Sequence, residues 1–182
     1  SGLNTSRRAA LEARGFYIVK YPYRMQVDFT APTPAPTLPE GFSLHAFTET
    51  DKRELYDLIV TAFDWGEGPF FTFVEWQKGV LRGGRFDPRY FILLRREGRL
   101  VGAALCYDEG TRGWLKELAV SKELRGMGLG VILLKHVFHV FSVKGADTVA
   151  LGVVSNNPNA VAFYERAGMT RTREFVQYQL AA

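Results

Sequence analysis

The stretch WLKELAVSKELRGMGLG, residues 114–130, decides the fold. Its first seven residues are typical of a β-strand, and the glycines at its end lead into an apolar helix predicted over 128–143. Glycine lets the backbone come close to a ligand, and the start of a helix offers unpaired N–H groups and a partial positive charge. The segment RGMGLG, 125–130, therefore predicts a cradle for a pyrophosphate.

Taken alone, this glycine-rich turn is a weak signal. The alternative is a tight strand-to-helix loop whose glycines only relieve crowding. A Walker A loop would need GK[ST], which is missing here, and a dinucleotide fingerprint would need GxGxxG directly after the strand. Neither nucleotide-binding alternative fits, because the polar SKELR intervenes and the third glycine comes one position early.

A second motif, NNPNAVAFYERAGM, lies downstream at 156–169, after the apolar central strand DTVALGVV at 147–154. Asn157 is expected to cap a helix, Pro158 suits its first turn, and Gly168 ends it.

The flanking patterns predict the other elements. They comprise a strand at 41–47, a helix begun by an Asp51–Glu54 capping box, a second helix begun by Thr72 with Glu75, a hairpin over 90–110 that turns at Glu97–Gly98, and a last strand at 169–180. The predicted order is β, α, α, β, β, β, α, β, α, β. This order indicates an α/β (α+β) fold with a mixed sheet and helices on its faces.

Together, the two motifs resemble those of the GNAT superfamily of acyl-CoA-dependent N-acyltransferases, over roughly residues 40–182. The resemblance implies the GNAT fold, acetyl-CoA as co-substrate, and no metal. It assigns the pyrophosphate loop to Arg125, Gly126, Met127, Gly128, Leu129 and Gly130. It also implies that the backbone of Leu118, Ala119 and Val120 pairs with the pantetheine arm. Asn157 would contact the CoA arm, and Tyr164 would protonate the departing thiolate.

Acyl transfer to an amine needs a base for the ammonium proton and an acid near the sulfur. Glu117, the nearest carboxylate on the strand beside the expected thioester, could be that base, directly or through water. It could instead be a solvated or ion-paired strand residue, and Tyr164 could simply pack its ring on the sheet. Asp64 and Glu67 could face the acceptor.

Two further groups have plain structural interpretations. His136 and His139 are spaced as half a metal site, but a partly exposed helix face explains them better. The aromatic residues Trp65, Phe70, Phe71 and Phe73 could shape an acceptor pocket or fill the core.

The start of the chain, LEARGFYIVKYPYRMQV at 11–27, resembles the end of such a domain: a helix, a glycine stop and a strand. Adding 153 to each number places Asn4 on Asn157 and Gly15 on Gly168, while Leu11 falls on Tyr164. We therefore interpret 1–30 as the remnant of a preceding GNAT-like repeat. The Pro-rich linker 31–39 and the domain 40–182 follow it. This is similar in architecture to the tandem-repeat mycothiol synthases.

Composition and charge restrict the classes of partner that the sequence predicts. The formal charge is +4, of which residues 1–30 carry +3, so the main domain lacks the basic excess of a nucleic-acid binder. No apolar run approaches the ~18 residues of a membrane span. The single cysteine, Cys106, fits a cytoplasmic protein. A homodimer, or docking through 16–27, is open, because an unpaired apolar strand invites a partner.

The sequence therefore predicts an acetyl-CoA-dependent N-acetyltransferase acting on a small-molecule primary amine, with Tyr164 as general acid. The alternative is a non-catalytic acyl-CoA-binding module, which would keep the loop at 125–130 but need neither Tyr164 nor a base. The loops that would bind the acceptor carry no transferable motif.

Overall fold

The structure is a computed structural model that describes residues 2–20, 22–63, 71–82, 84–154 and 157–180. The chain divides into two compact units. The first unit joins the two ends of the chain, Ser1–Gln26 and Leu151–Ala182, and the second is Val27–Ala150.

Antiparallel strands form most of the sheet of the second unit. Strand β3 (Phe42–Ala46) pairs with β4 (Phe91–Arg96), β4 pairs with β5 (Arg99–Asp108), and β5 pairs with β6 (Arg112–Val120). The β4–β5 hairpin turns at Glu97 and Gly98, whose φ angles are both positive, at 50° and 84°. This backbone geometry suits a two-residue hairpin, so the predicted hairpin is confirmed.

Helices cover the sheet. They are α2 (Lys52–Ala62), the short α3 (Phe73–Trp76) that continues as a wider turn over Gln77–Leu81, and α4 (Leu129–Lys144). Helix α4 connects β6 to its neighbour β7 (Thr148–Val154), a crossover of the kind that parallel neighbours need.

The capping box predicted at Asp51 and Glu54 is wrong. The Asp51 carboxylate instead accepts hydrogen bonds from the backbone N–H and the hydroxyl of Thr48, both at 2.7 Å. Glu54 accepts from Arg95 Nη2 and from the Leu100 N–H, both at 2.8 Å. Burial raises the pKa of Asp51, but the hydrogen bonds from Thr48 and Arg95 outweigh it and hold the pKa below its ordinary value. The Asp51 carboxylate therefore bonds to Thr48, three residues earlier in the chain. The predicted capping box required it to bond to the next turn of the helix instead.

The first unit contains two helix–strand–strand sets. One is α1 (Gly2–Glu12), β1 (Phe16–Lys20) and β2 (Pro22–Asp28), whose last two residues belong to the second unit. The other is α5 (Pro158–Arg166), β8 (Thr170–Glu174) and β9 (Gln177–Leu180). The single strands predicted at 16–27 and 169–180 are thus each two strands. Both predicted glycine stops are confirmed, because Gly15 and Gly168 have φ angles of 80° and 99°.

The start of the proline-rich segment lies along α4 within the second unit. The Thr33 N–H donates to Ser142 Oγ at 2.8 Å, and His139 Nδ1 lies 2.6 Å from the Thr33 carbonyl oxygen. The rings of Phe29 and Phe138 meet edge to face, with centroids 6.1 Å apart. The residues just before and inside the predicted linker are therefore anchored, while the proposed boundaries at 30 and 39 stay a prediction.

Candidate active site

The glycine-rich loop between β6 and α4 has the geometry of an anion cradle. Gly126 and Gly128 have φ angles of 82° and 77°, a left-handed conformation that glycine adopts without strain. A Cβ at either position would meet no atom of the described residues within 4 Å, so the left-handed backbone, and not crowding by those residues, favours glycine here. Gly128 precedes the first turn of α4, and no side chain in the described part of the chain caps that turn.

The first turn of α4 therefore offers its backbone donors outward. The Gly128 carbonyl accepts from the N–H groups of Val131 and Ile132, at 3.0 and 3.1 Å. The N–H groups of Leu129 and Gly130 come too early in the helix to have a carbonyl one turn before them. Two such donors and the positive end of a 16-residue helix suit a phosphate oxygen.

Arg125 and Met127 complete the loop, and both are exposed. The guanidinium of Arg125 donates from Nη2 to the carbonyl of Ala62, the last residue of α2. This bond ties the loop to the end of α2.

The strand end Leu118–Val120 is held in register by β5. Leu118 lies opposite Ala104, Ala119 opposite Ala103, and Val120 opposite Gly102. Ala119 is buried, while its two neighbours are half-buried. The pairing of this backbone with a pantetheine arm stays a prediction.

Glu117 lies at an irregularity of β6 that sequence reasoning did not find. Leu105 of β5 faces Glu117, but the next residue, Cys106, faces Leu115, so β6 has one extra residue at Lys116. A β-bulge of this kind turns side chains away from their regular direction and is common beside active sites. The sequence KEL gives no sign of it, because a bulge is a property of two paired strands.

The Glu117 carboxyl is buried and only partly satisfied. Its side chain is 14% exposed, Oε1 lies 3.8 Å from Lys116 Nζ, and Oε2 is buried without a hydrogen-bond partner among the described residues. Burial raises the pKa of Glu117, and the nearby Lys116 charge offsets only part of that rise. The buried Tyr107 hydroxyl has a raised pKa through burial and through the Glu117 charge. A carboxyl kept from water with a raised pKa is the expected state of a general base that works near neutral pH.

Asn157 and Tyr164 belong to the first unit. The Asn157 side chain accepts from the Ala160 N–H at 3.1 Å, and Pro158 occupies the first turn, so the predicted cap of α5 is confirmed. Tyr164 lies near the end of this helix and is half-buried, with its ring 5.0 Å from that of Phe163. Burial raises the pKa of Tyr164 to about 12, so its hydroxyl stays protonated at neutral pH.

The remaining sequence candidates separate into three groups. Asp64, Trp65, Glu67 and Phe70 lie outside the described residues. Phe71 and Phe73 pack against the apolar core around Trp76, which supports the core interpretation for these two rings. His136 and His139 lie half-buried on α4, and His139 contacts the Thr33 carbonyl.

The described residues contain neither a cluster of metal ligands nor a helix suited to a membrane. No group of three or more His, Cys, Asp or Glu side chains is placed to hold a metal ion. Within the same ranges, none of the helices combines the length and the apolar character that crossing a bilayer requires.

Comparison with known proteins points to one family. The model of the acetyltransferase (GNAT) family matches residues 45–169. A mycothiol acetyltransferase of Thermobispora bispora is 36% identical over 167 residues, which cover 86% of this chain and 56% of that protein. The N-alpha-acetyltransferase 30 of Schizosaccharomyces pombe is 32% identical over 98 residues, covering 51% of this chain and 65% of that protein.

The structural comparison agrees. The crystal structure of a GCN5-related N-acetyltransferase from Sphaerobacter thermophilus superposes with a TM-score of 0.80 and 30% identity, over 96% of this chain and 55% of that one. The chain thus spans about half the length of the mycothiol acetyltransferases and of this structural neighbour.

Proposed function

The chain belongs to the GNAT family of acetyltransferases, and on that premise we propose that it transfers an acetyl group from acetyl-CoA to a small-molecule primary amine. The observation that carries the proposal is Glu117, a buried carboxyl with a raised pKa whose Oε2 has no hydrogen-bond partner among the described residues. It lies on the strand that leads into the glycine-rich loop. A module that only bound acyl-CoA would have no use for such a group.

The reaction is a direct transfer. Glu117 removes a proton from the ammonium form of the acceptor, directly or through water. The freed nitrogen lone pair attacks the thioester carbonyl carbon, a C–N bond forms, and the C–S bond breaks. The departing sulfur takes a proton from the Tyr164 hydroxyl, which a pKa of about 12 keeps protonated until that moment. The nitrogen loses its second proton as the neutral amide forms, and this proton returns through water to the Tyr164 oxygen.

Binding and chemistry use different parts of the chain. The N–H groups at the start of α4 and the charge of Arg125 hold the pyrophosphate of acetyl-CoA. The backbone of Leu118, Ala119 and Val120 aligns the pantetheine arm, and Asn157 contacts the same arm. These residues set affinity, whereas Glu117 and Tyr164 set the rate.

The acceptor class is tested by measuring CoA release against two sets of amines. Relatives of the chain include mycothiol acetyltransferases and an N-alpha-acetyltransferase, so the panel contains small primary amines and peptides with free N-termini. The protein's own thiol adds no background, because Cys106 is fully buried and burial raises its pKa far above the ordinary value. We expect turnover with small amines. Acetyl-CoA binding without turnover on any amine would overturn the proposal in favour of a non-catalytic module.

Tyr164→Phe should lower kcat by roughly 100-fold or more, because general acid–base groups contribute ~10²–10⁴ in rate. Phenylalanine keeps the packing beside Phe163, so acetyl-CoA affinity should not change. Steady-state kinetics together with calorimetry separate the two effects. Tyr17→Phe, which removes another hydroxyl from the first unit, serves as the control. An unchanged kcat would leave the Tyr164 hydroxyl with a structural role or show that chemistry is not rate-limiting.

A further inference from the structure

The two helix–strand–strand sets of the first unit exchange their last strands. In each set a helix ends at a glycine with positive φ and two short strands follow. The strands of one set do not pair with each other. Instead β1 pairs antiparallel with β9, and β2 pairs antiparallel with β8. The first strand of each set therefore pairs with the last strand of the other set.

One numerical shift relates the two pairings. Adding 153 to Tyr17 and subtracting it from Gln179 converts the pair Tyr17–Gln179 into Thr170–Gln26, which is an observed pair. In the same way, Ile18–Tyr178 becomes Arg171–Met25, and Lys20–Gln177 becomes Arg173–Arg24, both also observed. The bulge falls at the matching place in both ladders. The sets are thus two copies of one unit, related by a local pseudo-twofold axis.

The axis passes near Pro22 and Phe175, which the shift of 153 also relates. The Phe175 N–H donates to the Pro22 carbonyl at 2.8 Å. The symmetric bond would need an N–H on Pro22, and proline has none.

The two copies differ in how deeply their equivalent side chains are buried. Met25, Val161 and Met169 are 0%, 3% and 2% exposed. Their counterparts Tyr178, Arg8 and Phe16 are half-buried or exposed, and Leu180 at the end of β9 is 54% exposed. A hollow of about 620 Å³ beside Arg8 and Val176 corresponds to one of about 170 Å³ beside Val161 and Tyr23.

The copies also differ in their sheet neighbours. Strand β2 has a neighbour on each side, β7 and β8, whereas β9 has β1 alone among the described strands. A two-stranded sheet is marginal in water, and the unpaired backbone groups of an edge strand invite another strand. The shift of 153 shows what is missing: a strand that stands to α1 as β7 stands to α5.

We propose that the open edge of β9 is the docking site for the last core strand of a preceding acetyltransferase-fold repeat on the same polypeptide. The occupant is an apolar strand equivalent to Thr148–Val154. The related mycothiol acetyltransferases, of which this chain spans about half, have the length for two such repeats. Strand β9 completes the sheet of the first repeat as β2 completes the sheet of the second, so each repeat holds a strand of the other.

The exchange is tested with three double-cysteine variants of the full chain, in which the native Cys106 is fully buried. Tyr17→Cys with Gln179→Cys reports the β1–β9 pair, and Gln26→Cys with Thr170→Cys reports the β2–β8 pair. Thr170→Cys with Gln179→Cys reports the alternative, in which β8 and β9 form an ordinary hairpin. Mild oxidation should lock the first two pairs within one chain and leave the third open. The reverse pattern would overturn the exchange and the docking site with it.

The occupant is tested with a tandem chain in which residues 27–156 of a second copy directly precede residue 4 of this chain. The first copy lacks β2, so only β9 can fill that position. Hydrogen exchange of the β9 amides should be at least about tenfold slower in the tandem chain than in the 182-residue chain, and the tandem chain should be monomeric by light scattering. A tandem chain that ends at residue 174 is the control and should lose solubility.

Several results would contradict the docking site. Rapid exchange of β9 in the tandem chain, or failure of the tandem chain to fold, would show that β9 does not complete the first copy. Protection of both edges of β9 in the 182-residue chain alone would also overturn it. If that chain were then dimeric, a second copy would be the occupant.

Discussion

Gly128→Asp should abolish measurable acetyl-CoA binding while the chain stays folded. The substitution places a carboxylate at the start of α4, where the pyrophosphate is expected to lie. Two unit charges 4 Å apart repel by about 4 kcal/mol near a protein surface, which corresponds to roughly a thousandfold in affinity. The same carboxylate can accept from the N–H groups of the first turn, so it also competes for the donors that the phosphate would use.

Two companion variants separate charge from conformation. Gly128→Ala adds only the strain of a left-handed alanine, about 1–2 kcal/mol, and should weaken binding without abolishing it. Gly41→Asp is the matched control, because Gly41 has a φ angle of 80° and open space around it but does not begin α4. Titration calorimetry with acetyl-CoA gives the affinities. Unchanged affinity in Gly128→Asp would remove the loop from the binding site.

Glu117→Gln should lower kcat by about 10²–10⁴-fold, the usual contribution of a general base. The amide has the same shape but cannot take the ammonium proton. The variant should also be more stable than the wild type at pH 8. The raised pKa means that the folded state favours the neutral carboxyl, so this contribution to stability is present at low pH and is lost as pH rises through the folded-state pKa. Glutamine is neutral at every pH and avoids that loss.

The pH profile provides a second readout. Since the base must be ionised, kcat/KM should fall as pH falls through the pKa of Glu117, at a higher pH than for an ordinary glutamate. Lys116→Met removes the nearby positive charge that lowers this pKa, so the acid limb should move further upward while activity remains. A Glu117→Gln variant with wild-type kcat and an unshifted profile would exclude Glu117 as the base.

The sequence predicted those features that depend only on residues adjacent in the chain. The turn at Glu97 and Gly98 follows from the backbone freedom of glycine, and the start of α5 follows from Asn157 and Pro158. The position of Gly128 before α4 was predictable for the same reason, because its left-handed φ angle favours glycine.

Features set by distant parts of the chain were not predictable in this way. The Asp51–Glu54 capping box fails because Thr48 and Arg95 compete for the two carboxylates. The bulge beside Glu117 depends on the register between β5 and β6, which residues adjacent in the sequence do not determine. The periodicity of 169–180 is that of one strand, and only pairing with β1 and β2 shows that it is two.

The exchanged strands also set the order in which the chain can fold during synthesis. Residue 16 pairs with residue 180, so β1 leaves the ribosome long before its partner exists. At ~5–20 residues per second, that delay is on the order of ten seconds. For this time β1 has neither β9 nor any other described strand beside it, and contacts so distant in sequence form slowly. Strand β1 therefore stays without its partner until β9 has been synthesised, and nascent chains cut short before residue 177 should be retained by chaperones.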